Sequence, residues 1–359
     1  MRIALLSYST KPRGGVVHTL ALAEALAAAG EDVTVWTLGR GGDDGFFRTV
    51  DPAVRLRVVP FPDGPPDETV GARILRSIAT LRDAFDPTPY DIVHAQDCIS
   101  ANAAGRCVRT VHHLDHFTTP ELAACHERAI VEPYAHICVS RSVADELSDG
   151  WGLKPAVIPN GVAYERFATT DPAARAAWRS RLGPYVLTVG GIEPRKGSLD
   201  LLEAYASLRT GHPGVRLVIA GGETLFDYRD YRARWETRAA ELGVRPMVLG
   251  PVADEELPAL VAAADAFAFP SLKEGFGLAA MEALAAGVPL VVRDLPVLRE
   301  VFGPAARFGD SPQTLAAELG GALDSYDPAR AEAGRELAAR HTWTEAAAHH
   351  LAFYRALTP

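Results

Sequence analysis

The stretch Ser271-Leu-Lys-Glu-Gly-Phe-Gly-Leu-Ala-Ala-Met-Glu-Ala-Leu-Ala-Ala-Gly-Val-Pro-Leu290 follows a short apolar run that ends at Pro270. Its pattern predicts a strand, a glycine loop, a helix, a helix cap and a second strand. Gly275 and Gly277 permit backbone conformations closed to other residues and the close approach of a ligand. The helix that begins at Gly277 and Leu278 presents free N–H groups, which form a binding site for an anion.

Two glutamates belong to this stretch. Glu282 interrupts an otherwise apolar side of the predicted helix. A buried carboxylate needs partners, and a ribose diol supplies two hydroxyl donors. Glu274, in the loop beside the pocket, is placed to accept hydrogen bonds from sugar hydroxyls. The alternative for each glutamate alone is a structural ion pair, but the two together with the glycine loop favour a ligand site.

A second loop, Gly190-Gly-Ile-Glu-Pro-Arg-Lys-Gly197, also lies between a predicted strand and a predicted helix. Arg195 offers a bidentate fork and Lys196 a point charge, and two cations beside a helix start can neutralise a leaving diphosphate. A solvated basic turn is the alternative for this loop taken alone.

The same alternation of β-rich runs and Ala-rich helical patterns extends along the chain, which indicates α/β domains built on parallel sheets. The first helix is predicted at 16–29 and is closed by Gly30. The predicted strands span 3–8, 32–37, 56–60, 91–95, 108–112, 136–140 and 156–158, and then 185–189, 216–220, 247–249, 266–269 and 289–292.

The length of 359 residues favours two domains, since one core rarely grows so large. The pattern restarts after the turn at 159–162, and we expect domains at 1–168 and 169–341. An amphipathic helix at 342–359 is expected to return to the first domain. Ligands of open parallel sheets bind at the carboxyl ends of the strands, so two such domains facing each other are expected to form a central cleft.

Composition excludes several classes of protein. The net charge of −9 argues against a protein that follows a nucleic-acid backbone, so no nucleic-acid partner is expected. The four cysteines include no Cys-x-x-Cys pair, which indicates buried thiols in a reducing cytoplasm. No run reaches the ~20 apolar residues of a membrane span. The first apolar run is too short for a signal peptide, and we expect a cytoplasmic protein without a transmembrane segment.

The first predicted domain has two candidate features. Gly14 and Gly15 follow the first strand but lack the full fingerprint of a dinucleotide site, so a simple tight turn is equally compatible with them. His112 ends a predicted strand, where a polar catalytic role is favoured over a satisfied core histidine. A metal site formed by His112, Asp115 and His116 is disfavoured, because a strand end does not present these positions on one face.

These motifs resemble the retaining glycosyltransferases of family 4, which have the GT-B fold of two Rossmann-like domains. Glu274 and Glu282 are similar to the Glu-x7-Glu signature of that family. The resemblance implies an acceptor-side first domain and a second domain that binds the nucleotide sugar. The residues that it implies for the donor are Gly14, Gly15, Arg195, Lys196, Val252, Glu274, Gly275, Phe276, Gly277, Leu278 and Glu282, and those for catalysis are His112, Glu274 and Lys196.

Within that resemblance Glu274 holds the donor sugar, Glu282 the ribose, Lys196 the diphosphate, and the backbone at Val252 the base. His112 matches the histidine beside the transferred sugar. The chain departs from the family at Gly190-Gly191, where Gly-Arg is usual, and Arg195 is the candidate substitute for the missing charge.

The expected activity is a hexosyl transfer with retention, from a nucleotide-diphosphate sugar to an acceptor hydroxyl, without a metal ion or a cofactor. The acceptor is a small molecule, a glycan or a lipid, and peripheral contact with a membrane stays open. The alternatives are a sugar-nucleotide epimerase or hydrolase on the same fold, a non-catalytic regulator that binds nucleotide sugars, and, more weakly, a nicotinamide dehydrogenase.

Overall fold

The computed structural model describes residues 1–115, 117, 119–222 and 228–357. The chain divides into two compact units between Gly161 and Val162, and the segment from Trp343 onward belongs to the first unit. Residues 162–168, which the sequence placed in the first domain, belong to the second unit. Arg166 in this segment pairs with Asp254 of the same unit, at 2.9 Å between Nη2 and Oδ2.

The first unit is an alternation of strands and helices around a parallel sheet. Its strands follow the order β3-β2-β1-β4-β5-β6-β7, so the strand order reverses direction between β1 and β4. Ligands of such sheets bind at the carboxyl ends of the strands beside this reversal. The elements are β1 (Arg2–Leu6), α1 (Gly14–Ala28), β2 (Asp32–Arg40), β3 (Arg55–Phe61), α2 (Val70–Ala84), β4 (Ile92–Ala95), α3 (Cys98–Ala104), β5 (Val108–Val111), α4 (Pro120–Val131), β6 (Ala135–Cys138), α5 (Arg141–Trp151) and β7 (Ala156–Val157).

Local sequence explains the boundaries of these helices. Helix α1 stops before Gly30, whose φ of 91° is accessible to glycine but costly for other residues. Helix α3 begins with a reciprocal capping box in which Asp97 and Ser100 each accept the other's backbone N–H. Strands β4 and β5 are buried along their whole length, as expected for a parallel sheet covered by helices on both faces.

The second unit repeats the architecture, with strand order β10-β9-β8-β11-β12-β13 and parallel pairing throughout. The prediction of two Rossmann-like parallel-sheet domains is therefore confirmed. The elements are α6 (Tyr164–Ala168), α7 (Pro172–Leu182), β8 (Tyr185–Val189), α8 (Ser198–Gly211), β9 (Arg216–Ala220), α9 (Arg229–Glu241), β10 (Met247–Gly250), α10 (Leu257–Ala262), β11 (Ala266–Phe269), α11 (Leu278–Ala285), β12 (Leu290–Arg293), α12 (Pro296–Phe302), β13 (Ala306–Gly309), α13 (Pro312–Asp324) and α14 (Pro328–Arg340).

The last helix, α15 (Trp343–Leu357), packs against α1 inside the first unit. Ala347, Leu351 and Tyr354 join the core that β1 and α1 form. The Tyr354 hydroxyl and Nδ1 of His94 are 2.6 Å apart, so the helix is also held by a buried hydrogen bond. The C-terminal segment is thus a structural part of the first unit.

All four cysteines are free thiols, and Cys107, Cys125 and Cys138 are buried. Burial raises the pKa of the Cys107 and Cys138 thiols to about 12, which keeps both protonated at neutral pH. Within the described ranges, every helix is too short or too polar to cross a lipid bilayer.

Candidate functional site

The loops after β8 and β11 place two cations on one carboxylate. Nζ of Lys196 donates to Oε1 of Glu274 at 2.5 Å, and Nη1 of Arg195 donates to the same oxygen at 3.1 Å. Arg195, Lys196 and Glu274 are called the charged cluster below. Residues from two separate loops, which the sequence assigned to one donor site, are therefore in direct contact.

Backbone contacts fix the charged cluster from both sides. The 3₁₀ turn Pro194–Lys196 orients both cations, and Leu272 N–H donates to the carbonyl of Arg195 at 2.8 Å. Nη1 of Arg195 donates in turn to the carbonyl of Lys273 at 3.2 Å. The side chains of Lys196 and Glu274 are only 20% and 11% exposed, so their attraction is less screened than that of a surface pair.

The start of α11 lies directly after Glu274 in the chain. Gly277 has a φ of 101°, and a Cβ there would stand 3.1 Å from the ring of Phe302, so this position requires glycine. Phe276 is 3% exposed and anchors the loop by packing near the ring of His341, with 5.9 Å between centroids. Gly277 provides no side-chain cap, which leaves the first N–H groups of α11 available to an anion.

Glu282 lies on the second turn of α11 and has an unusual environment. Burial raises its pKa to about 7, the charge of Arg166 opposes that rise, and Asp254 adds to it. Among the residues that the structure describes, Glu282 has no hydrogen-bond or ion-pair partner. A carboxyl group that is desolvated and unpaired is suited to accept two hydroxyl donors from a ligand. Arg166 and Asp254 come from distant segments of the chain, and no sequence motif points to them.

The remaining predicted donor residues lie in neighbouring loops of the second unit. Val252 is half-buried between β10 and the 3₁₀ turn Asp254–Glu256. Gly190 follows β8 with a φ of 145°, and a Cβ on it would stand 3.6 Å from the side chain of Lys196. Gly190, Gly191, Lys196 and Ser271 line a common pocket, and the hydroxyl of Ser271 is buried there without a hydrogen-bond partner. The sequence did not single out Ser271.

In the first unit His112 directly follows β5 and faces the start of α1. A Cβ on Gly15 would stand 3.8 Å from Cδ2 of His112, so glycine lets the helix start approach the imidazole, whereas Gly14 borders open space. Nε2 of His112 is buried without a hydrogen-bond partner. Burial, followed by the charge of Arg109, lowers the pKa of His112 to about 3. The imidazole is therefore neutral at physiological pH.

His112 belongs to a group of buried imidazoles, the histidine cluster, formed by His18, His94, His112 and His350. The rings of His18 and His112 are 4.7 Å apart, and those of His94 and His350 are 5.8 Å apart. Burial lowers the pKa of each member, to about 4 for His350. His94 is fully buried and hydrogen-bonded to Thr110 and Tyr354, so its role is structural.

The metal site that the sequence disfavoured would consist of His112, Asp115 and His116, and the described residues among these have other contacts. Nε2 of His113 approaches Oδ1 of Asp115 at 3.4 Å, while His112 faces Gly15. His116 lies outside the described residues. Within the described part of the chain, no three His, Cys, Asp or Glu side chains are placed to hold a metal ion.

Comparison with known proteins gives consistent relatives for both units. Residues 174–334 match the family model for glycosyl transferases group 1, and residues 12–166 match that for glycosyltransferase family 4. A D-inositol 3-phosphate glycosyltransferase of Xylanimonas cellulosilytica is 30% identical, over 99% of this chain and 97% of the relative.

Solved structures share the fold at lower sequence identity. The sucrose-phosphate synthase of Thermosynechococcus elongatus superposes with a TM-score of 0.80 at 21% identity, over 99% of this chain and 98% of that one. HepE of Anabaena, solved in complex with UDP-glucose, has a TM-score of 0.74 at 19% identity, over 98% and 99% of the two chains.

Proposed function

Because this chain belongs to the group 1 glycosyltransferases of family 4, we propose that it moves a hexosyl group from a nucleotide-diphosphate sugar to an acceptor hydroxyl, with retention and without a metal ion. The observation that supports this most strongly is the contact of Lys196 and Arg195 with Glu274. It places positive charge for a diphosphate beside a carboxylate for sugar hydroxyls.

The charged cluster supplies what the departing nucleotide needs. As the bond between the anomeric carbon and the diphosphate oxygen breaks, negative charge develops on that oxygen. Lys196, Arg195 and the free N–H groups at the start of α11 stabilise this charge, which is the task a divalent cation performs elsewhere. Glu274 contacts two cations and orients the sugar through its hydroxyls.

The acceptor proton requires a destination. Neutral His112 is a hydrogen-bond donor or acceptor toward the transferred sugar. Because its pKa is lowered to about 3, the imidazole does not become positively charged by taking up the acceptor proton at pH 7. We assign the proton to the departing phosphate oxygen, so that the acceptor oxygen attacks the face from which the diphosphate leaves. Gly14 and Gly15 belong to the proposed site because they let the start of α1 approach a ligand beside His112.

The first experiment measures nucleotide release from a panel of nucleotide sugars, with and without acceptors. UDP-glucose is the first donor to test, because HepE was solved with it, and D-inositol 3-phosphate is the first acceptor, because a relative is named for it. Release that requires an acceptor and persists in EDTA supports metal-independent transfer. Release without an acceptor indicates a hydrolase, and binding without release indicates a regulator. The anomeric configuration of the product, read by NMR, tests retention.

Glu282→Gln tests the ribose assignment. We expect the variant to lose most of the thermal stabilisation by the nucleoside diphosphate, which at ~100 times its Kd is about 2.7 kcal/mol in the wild type. Because folding raises the pKa of Glu282 from 4.5 to about 7, the stability of the free protein falls as the pH rises from about 4.5 to about 7. The free variant is therefore expected to be more stable than the wild type at pH 8, by up to about 3 kcal/mol.

The matched control is Glu255→Gln, an exposed carboxylate of the same unit, which is expected to keep the nucleotide effect. Nucleotide binding by the wild type is expected to weaken from pH 8 to pH 6, as Glu282 takes up a proton and loses acceptor capacity. An undiminished nucleotide shift in Glu282→Gln would refute the ribose assignment.

A further inference from the structure

Strand β5 contains an arginine that the proposed mechanism does not use. Arg109 is 7% exposed, and its Nε and Nη1 atoms are enclosed without a hydrogen-bond partner. In the described part of the chain, no carboxylate lies within ion-pair distance of its guanidinium. A buried cation without a partner costs folding free energy, so a position like this points to a ligand that supplies the missing acceptors.

The carboxyl end of β4 presents further unsatisfied groups near Arg109. Asp97 accepts the backbone N–H of Ser100 at 2.8 Å through Oδ1, while its Oδ2 is enclosed without a partner. The charges of Arg109 and Arg40 both act on the Asp97 carboxyl. Gln96 is 1% exposed, and both polar atoms of its amide lack a partner. Donors and acceptors are thus available at the end of one strand.

Arg40 ends β2 and adds a second guanidinium. It donates Nε to the carbonyl of Tyr8 at 3.0 Å and Nη2 to the hydroxyl of Ser77 at 2.9 Å, which leaves Nη1 for another acceptor. The charges of Asp97, Arg73 and Arg13 all reach this guanidinium. Arg109 and Arg40 therefore act on one carboxylate, and Arg73 and Arg13 add positive charge beside Arg40, in a chain whose net charge is −9.

We propose that Arg40, Gln96, Asp97 and Arg109 bind the anionic group of the acceptor, and that the acceptor is a phosphate monoester of a sugar or polyol. This assignment rests on the proposed glycosyl transfer and adds the substrate class. The excess of guanidinium groups over carboxylates matches a dianion, and arginine binds phosphate oxygens in a bidentate fork. The Gln96 amide and Oδ2 of Asp97 are suited to the hydroxyls of the same molecule.

The site lies beside the residue proposed to act on the transferred sugar. The Arg109 charge acts on His112 more strongly than any other charge does, and both residues belong to β5 or follow it directly. A phosphate held by Arg109 therefore anchors an acceptor in the neighbourhood of His112. A neutral acceptor would leave the guanidinium unsatisfied.

Thermal shift of the full-length chain tests the site, with Arg109→Met as the central variant. Inorganic phosphate, hexose 6-phosphates, D-inositol 3-phosphate and the corresponding unphosphorylated compounds are the probes. We expect the phosphorylated polyols to raise the melting temperature of the wild type and not that of the variant. The affinity is expected to fall at least tenfold, as on loss of a charge-assisted hydrogen bond. The free variant is expected to melt at the same temperature as the wild type or higher, because it no longer buries an unpaired charge.

Three comparisons make the result decisive. Arg106→Met removes an exposed arginine near the same strand and should keep the full shift. Lys196→Met identifies phosphate bound at the donor site: a shift lost there but kept in Arg109→Met overturns the proposal. Free phosphate as the true ligand would give equal shifts for inorganic phosphate and its esters, and this also overturns the acceptor assignment.

A structural role for Arg109 predicts a lower melting temperature of the free variant and an unchanged affinity, measured at a temperature where the variant is folded. If phosphorylated polyols raise the melting temperature of the wild type and of Arg109→Met equally, or of neither, the proposal is wrong as well. Glu282-dependent stabilisation by nucleoside diphosphates, measured in parallel, reports on the proposed donor site separately. If that stabilisation persists while the phosphate esters have no effect, the acceptor assignment fails and the glycosyl transfer stands.

Discussion

The polar groups at the carboxyl ends of the two sheets differ in charge state and pairing. In the second unit, Lys196 and Arg195 both form ion pairs with Glu274. In the first unit, burial keeps the histidine cluster neutral, and Arg109 has no ionic partner among the residues that the structure describes. The same fold therefore supports a charged loop system and a neutral imidazole core.

The difference follows from where the groups sit. The charged cluster lies on loops that retain some exposure, so its ions keep part of their hydration and pair across a short distance. The histidines are enclosed between the sheet, α1 and α15, where a proton would have to be desolvated. We expect changes in the second unit to affect catalysis most and changes in the first to affect the pH dependence of stability.

The largest effect is expected from Lys196→Met. It removes the cation that contacts Glu274 and that we assign to the leaving diphosphate. The turnover for nucleotide release at saturating donor should fall by about 10²–10³-fold, the usual cost of removing one group that stabilises a developing anion. The measurement is a steady-state assay of nucleotide release on the donor and acceptor that the panel identifies.

Lys273→Met is the matched control, because Lys273 neighbours Glu274 in the same loop and contributes to the cluster through its backbone carbonyl. Its turnover should stay within a factor of about three of the wild type, as for surface changes that leave stability nearly untouched. If Lys196→Met and Lys273→Met were equally active, the charged cluster would have a structural role. The difference between its ion pairs and the neutral histidines of the first unit would then affect stability and not catalysis.

The sequence was sufficient for most of the fold. Alternating strand and helix patterns located β1 to β12 and the parallel character of both sheets. Strand β13 was missed because Ala306–Gly309, unlike β10, β11 and β12 of the same sheet, has no run of apolar residues. Arg307 pairs with Glu318 on α13 at 3.3 Å, so this edge strand is stabilised by a tertiary contact that has no local signature.

The candidate site was predictable where it rests on local motifs. The glycine loop before α11 and the turn at Arg195 and Lys196 have recognisable spacing. The surroundings of Glu282 were not predictable, since Arg166 is more than 100 residues away in the chain. An arginine inside the buried strand Val108–Val111 was a signal for Arg109, but only the structure reveals that its Nε and Nη1 have no hydrogen-bond partner in the described part of the chain.

The second prediction concerns His350 in the histidine cluster. Its folded-state pKa of about 4 lies below the ordinary 6.5, so the unfolded chain binds the proton first as the pH falls. The stability present above pH 6.5 is lost progressively toward pH 4. His350→Leu should reduce the loss of unfolding free energy between pH 7 and pH 5 by about 2 kcal/mol, at 1.36 kcal/mol per pH unit. Urea titrations followed by tryptophan fluorescence measure this.

His349→Leu is the control on the same helix, since its neighbouring side chain is exposed. It should keep most of the wild-type dependence on pH, because burial lowers the pKa of His350 more than the charge of His349 does. His18 and His94 face His350 and retain their own contributions in both variants, so the acid sensitivity is expected to diminish and not to vanish. If the unfolding free energy of His350→Leu depended on pH as steeply as that of the wild type, the His350 imidazole would take up its proton as readily in the folded protein as in the unfolded chain.

The smallest effect is expected from Gly191→Arg, which restores the arginine usual in the family. Gly191 has no left-handed backbone conformation, unlike Gly190 with its φ of 145°, so its backbone conformation is open to an arginine. Arg195 is already engaged by Glu193, Glu274 and the carbonyl of Lys273, and it cannot turn fully toward a diphosphate without losing these contacts. The added guanidinium should therefore tighten nucleoside-diphosphate binding by up to about tenfold, or 1.4 kcal/mol, as measured by calorimetry. Gly190→Ala, strained at its φ, should give no gain. If Gly191→Arg and the wild type bound the nucleoside diphosphate with equal affinity, Arg195 would already supply the positive charge that an arginine at position 191 supplies in the family.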